Sequence, residues 1–99
     1  MIRHIVMWKL KDFGQAEIKA LNASRLKDEL YHLKNEIVQI KALKVGINLN
    51  PVNEYDIVLE CEFDNFEDLD IYQNHPAHLK VVEFVKTVRV LRAAVDYEF

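Results

Sequence analysis

The chain has 99 residues, enough for one domain spanning 1–99 and too few for two. It is 51% apolar and 29% charged, with a net charge of −3, which fits a globular protein and argues against a nucleic-acid partner or an anionic membrane surface. No apolar run reaches the roughly 18 residues that a membrane helix needs.

The opening "MIRHIVMWKLKD" is rich in β-branched and aromatic residues and carries no leader-like cleavage pattern. It predicts a strand over 2–10. His4, Val6, Trp8 and Leu10 share one face, and Arg3, Ile5, Met7 and Lys9 share the other. Both faces are largely apolar, so both are expected to be covered. The period then changes. Ile18, Leu21, Leu26, Leu30, Leu33 and Ile37 recur at helical steps and predict a helix over about 15–37.

A second strand is expected at 42–51, where Gly46 signals a bulge or close packing. A third is expected at 55–63. There Tyr55, Ile57, Leu59, Cys61 and Phe63 alternate with Asp56, Val58, Glu60 and Glu62. Cys61 is the only cysteine. It reads as a buried reduced thiol, with a cytoplasmic setting as the expectation. A helix begins after Asp64 or Asn65, either of which can cap it. Pro76 breaks it and suits the first turn of a resumed helix over 76–87, with Leu79, Val82, Phe84 and Val85 inward. "VRVLRAAVDYEF" closes as a strand over 88–99.

The order β-α-β-β-α-β is the ferredoxin-like α+β pattern, a four-stranded antiparallel sheet with its helices on one side. The other side, with Ile5, Met7 and Val58 among Arg3, Glu60 and Glu62, predicts a homodimer formed through sheet faces. Glu60 and Glu62 are expected to pair with Arg3 or Lys9 across that barrel rather than to act as two catalytic carboxylates.

His4, the run His75-Pro76-Ala77-His78 and the pair Asp96-Tyr97, in that order, resemble the stress-responsive dimeric α/β-barrel domain family from end to end. The resemblance implies two protomers closed face to face into one barrel. It implies nothing firm about activity. In polyketide cyclase-like members, which close a linear chain by an intramolecular aldol step without a metal, the active tyrosine and histidine match Tyr72 and His78. Pocket positions match His4 and Asp96. Ile57 and Leu30 stand where such members carry histidine and tyrosine. Trp8 replaces a smaller aliphatic residue, which implies a shorter pocket.

The residues themselves allow an acid–base reading. His78 falls in the first turn after the break, where the helix dipole disfavours a cationic imidazole. Tyr72 could donate to a developing enolate while His78 takes a proton α to a carbonyl, with Asp96 holding the His78 tautomer. His4, Val6, Trp8 and His75 complete the candidate lining for a small hydrophobic ligand. The competing reading is a kinked helix whose imidazoles satisfy backbone groups freed by the proline, inside a dimer without chemistry. A haem- or oxygen-handling monooxygenase is a third reading, by fold analogy alone. His-Pro-Ala-His on a broken helix is not a zinc spacing, so neither a metal nor a cofactor is expected.

Overall fold

The alternation in "IRHIVMWKL" becomes strand β1 (Ile2–Leu10), whose even-numbered residues are buried and whose odd-numbered residues are half-buried. The computed structural model describes the whole chain, Met1–Phe99. After β1 come α1 (Ala16–Glu36), β2 (Ala42–Ile47), β3 (Ile57–Phe63), α2 (Phe66–Asn74), α3 (Pro76–Val88) and β4 (Arg89–Glu98). The strands form one sheet in the order β2-β3-β1-β4, with every neighbouring pair antiparallel. This is the expected ferredoxin-like fold, its second helical crossover split at Pro76.

The core lies between one sheet face and the helices. Leu26, Leu30 and Leu33 of α1 and Val81, Val85 and Val88 of α3 pack over Val6, Leu59 and Phe63. Each fully buried aliphatic side chain contributes about 1.5–3 kcal/mol. Two inward assignments are corrected. Leu21 is 69% exposed, because the buried stripe of α1 runs through Ala23, Leu26, Leu30 and Leu33 and Leu21 falls off it. Leu79 is 47% exposed, because the proline break resets the helical phase to Val81, Val85 and Val88.

Two strand boundaries also move, for side-chain reasons. The second strand ends at Ile47, not 51. The Asn48 amide donates to the Asn50 and Tyr55 carbonyls, and its oxygen accepts from the Asn50 N–H, each at 2.9 Å, which turns the chain. The third begins at Ile57, not 55, because Asp56 is engaged elsewhere. Its N–H donates to the Trp8 carbonyl at 2.8 Å and its carboxylate accepts from the Leu10 N–H at 2.7 Å. Gly46 marks close packing rather than a bulge. A Cβ there would lie 3.3 Å from the Val58 side chain, and the β2–β3 register is unbroken.

The face turned away from the helices carries Ile5, Met7 and Val58, and the register with β4 adds Leu91, Ala93 and Val95. Glu62 on this face pairs with Arg3 at 2.8 Å, and Arg3 also donates to the Tyr97 hydroxyl at 3.0 Å. Within the chain, the partner of Glu62 is therefore its cross-strand neighbour in the same sheet. No helix is long and apolar enough to cross a membrane.

Candidate functional site

The break at Pro76 leaves a short account of backbone groups to settle. Pro76 has no N–H to offer the Tyr72 carbonyl, which accepts instead from the His75 N–H at 3.2 Å. His75 is extended (φ −67°, ψ 137°), and its Nδ1 accepts from the Ala77 N–H at 3.1 Å, capping α3. The Ala77 N–H is thus drawn away from the Gln73 carbonyl, its partner in an unbroken helix. His78 fills that place, donating Nδ1–H to the Gln73 oxygen at 3.0 Å. The tautomer follows from the bond: Nδ1 carries the proton and Nε2 keeps a free lone pair. Burial holds the His78 pKa below its ordinary value of 6.5, against the Gln73 bond, and nearby charge from His4, Arg92 and His75 adds to the lowering.

Tyr72 lies on the last full turn before the break and is fully buried. Its ring centroid is 4.4 Å from that of His78, 5.1 Å from Phe63 and 6.0 Å from His4. Its hydroxyl has no hydrogen-bond partner. The Cys61 thiol lies next to the phenol but forms no hydrogen bond of normal geometry with it. Burial pushes the Tyr72 pKa well above 10, so the phenol keeps its proton. Burial likewise pushes the Cys61 thiol up to about 12, which leaves it un-ionised and a poor nucleophile.

His4 sits opposite Asp96 in the β1–β4 register, and its Nδ1–H donates to the Asp96 carboxylate. Asp96 therefore orients His4, not His78, whose orienting acceptor is a backbone carbonyl. A cross-strand pair brings two such side chains within reach whenever both point to one face, and here that is the helix face.

A cavity of about 300 Å³ opens between the helices and this face of the sheet. His4, Val6 and Trp8 of β1 and Leu59 of β3 form its floor, and Leu30 of α1 lines it from the helix side. Tyr72 and His78 close one end, and Val81, Val82 and Val85 form the helical wall. The remaining lining includes Lys86, Arg89 and Arg92, which sequence reasoning did not single out. His75 lines no part of it. Its imidazole belongs to the outer side of the break, beside His32 and Lys80. Trp8 is 6% exposed and occupies floor space, and the volume stands at the low end of the range for small-molecule sites. The donors do not gather as a metal centre would require: no three His, Cys, Asp or Glu side chains converge.

The family model for the Stress responsive A/B Barrel Domain matches residues 2–99. Among solved structures, a dimeric ferredoxin-like protein of unknown function from Bacteroides fragilis is similar over 99% of this chain and 95% of its own, at 36% identity and a TM-score of 0.93. A hydroxynitrile lyase from Passiflora edulis is similar over 97% of this chain and 90% of its own, at 18% identity and a TM-score of 0.81. An antibiotic biosynthesis monooxygenase is similar over 100% of this chain and 98% of its own, at 15% identity and a TM-score of 0.77. The last two share the fold, at identities that carry no activity across. Among curated proteins, none matches the chain.

Proposed function

The chain belongs to the Stress responsive A/B Barrel Domain family, and from that premise we propose that its cavity is an acid–base site acting on carbon next to a carbonyl. His78 Nε2 takes the proton. The C–H electron pair moves into an enolate, and its oxygen accepts a hydrogen bond from the Tyr72 hydroxyl. Returning the proton from His78 to carbon regenerates both groups; alternatively the enolate carbon attacks a second carbonyl in an aldol step, the C=O electron pair moves onto oxygen, and the proton held by His78 passes to that new alkoxide.

One observation carries this reading: a neutral imidazole of fixed tautomer lies against a buried phenol that has no partner. Their environments push the two pKa values apart, the histidine down towards a base and the tyrosine up towards a permanent donor. An orphaned buried hydroxyl costs about 1–3 kcal/mol, and an incoming oxygen would recover it once neighbouring side chains move aside, because the hydroxyl itself is sealed from the cavity.

The dimer belongs to the same proposal. The apolar face of Ile5, Met7, Val58 and Val95 would pack against its own copy, as the dimeric Bacteroides fragilis relative encourages. A stable interface of that kind buries on the order of 2,000 Å². A second reading, a dimer without chemistry, draws support from the backbone bonds of His75 and His78, which repair the proline break. It offers no reason for the unpaired Tyr72 hydroxyl.

The two readings separate in deuterium oxide. Exchange of α-protons in small aryl and alkyl ketones is followed by NMR. The acid–base site accelerates exchange with at least one ketone, and His78→Gln returns it to background while the fold is retained. Background exchange with every ketone, or an undiminished rate in His78→Gln, overturns the proposal.

A further inference from the structure

The cavity has a second polar end. Lys86, Arg89 and Arg92 line it, and no aspartate or glutamate does, although the whole chain carries a net charge of −3. None of the three takes part in an ion pair, whereas Arg3, Lys9, Lys19, Arg25 and Lys41 all do.

Their convergence needs a local device. Residues 89 and 92 are three apart, and in an unbroken strand they would point to opposite faces. Arg92 stands opposite Trp8, on the helix side of the sheet. The register then shifts between Lys9 and Leu10, so that Leu10 pairs with Arg89 and Val90 is passed over. This irregularity returns Arg89 to the face of Leu10, Trp8 and Arg92. Such a shift re-aims a side chain at the cost of a ladder position. Lys86 reaches the same space from the last turn of α3. Charge on an edge strand also deters strand addition, but that purpose does not call for three cations around one concavity.

We propose that the cavity recognises a carboxylate: its ligand is a small apolar acid whose anion lies against Arg92, Arg89 and Lys86 and whose body runs over Trp8 and Val82 towards Tyr72 and His78. The inference rests on the site proposed above and names the class of molecule it takes. Arginine suits this role because its planar fork gives paired, charge-assisted hydrogen bonds to a carboxylate. The apolar floor and the small volume favour one compact hydrocarbon body over a nucleotide or a sugar phosphate. Arg92 also acts at the other end, since its charge lowers the pKa of both Tyr72 and His78. An anion paired with Arg92 would weaken that effect and make His78 the stronger base when the site is filled.

Calorimetric titration with 3-phenylpropionate, 3-phenylpropanol and 2-phenylethyl phosphate tests the assignment, since none of them needs to react. The carboxylate is expected to bind about tenfold tighter than the alcohol. The advantage shrinks with added salt and disappears in Arg92→Gln and in Arg89→Gln. His78→Gln retains it while losing ketone exchange, so recognition and chemistry fail separately. Equal affinity for acid and alcohol overturns the proposal, as does an advantage that survives both arginine replacements. Tighter binding of the phosphate than of the carboxylate overturns the class named. Circular dichroism of each variant shows that a lost advantage is not a lost fold.

Discussion

His78 donates its Nδ1–H to the Gln73 carbonyl, a group left without its helical donor by the turn at Pro76. One proline thus supplies both the opening in the helix and the acceptor that orients the imidazole. His78→Ala removes that donor and leaves the carbonyl short of a partner. It should lower stability by about 1 kcal/mol in urea denaturation and abolish ketone exchange. His78→Asn, which can still donate, should regain part of the stability and none of the exchange.

Stability should depend on pH through the same residue. In the unfolded chain His78 takes up a proton near its ordinary value of 6.5, and in the fold only at lower pH, because burial opposes the charge. Between those points the unfolded state binds more protons. The contribution is complete above pH 6.5 and is lost as pH falls towards the depressed folded value. The urea midpoint should therefore drop between pH 7.5 and pH 5.5, and the drop should be smaller in His78→Gln.

Tyr72→Phe deletes a buried hydroxyl that bonds to nothing. The variant should be as stable as the parent or more so, by up to about 1–3 kcal/mol, and should lose ketone exchange. A rise in thermal midpoint together with a loss of rate would identify the hydroxyl as kept for chemistry. A marked fall in midpoint would show that the hydroxyl is structural.

Asp96→Ala leaves the His4 donor, 3% exposed, without its acceptor. It should cost about 1–3 kcal/mol by urea denaturation. Asp96→Asn, which keeps an acceptor oxygen, should cost less. Because Asp96 holds His4 and not His78, both variants should slow exchange without abolishing it.

Val95→Glu places a carboxylate on the open apolar face, on edge strand β4 beside its cross-strand partner Ile5. If that face is the dimer contact, the variant should elute as a monomer in gel filtration at micromolar concentration with its circular dichroism unchanged. A dimer that persists would move the contact elsewhere.

The fold was legible because its signals are local. β1 alternates with period two, the buried leucines of α1, Leu26, Leu30 and Leu33, recur at steps of four and three, and Asn65 caps α2 by accepting from the Asp68 N–H at 2.8 Å. What was missed depends on pairings distant in sequence. Asp96 and His4 are 92 residues apart, and only the β1–β4 register shows that they meet. The acceptor for His78 is a main-chain oxygen, which leaves no mark in a sequence. His75 does not join its neighbours inward, because an extended N-cap residue turns its side chain back to its own helix. Lys86, Arg89 and Arg92 straddle a helix–strand junction and a register shift, so no single period relates them.

The chain contains one tryptophan, and it forms part of the cavity floor with Arg92 opposite it on β4. An indole in that position is a built-in optical probe. Any molecule that enters displaces solvent from its edge and redistributes charge next to its ring. Occupancy can then be followed through the intrinsic emission of the unlabelled protein, with no second indole to dilute the signal.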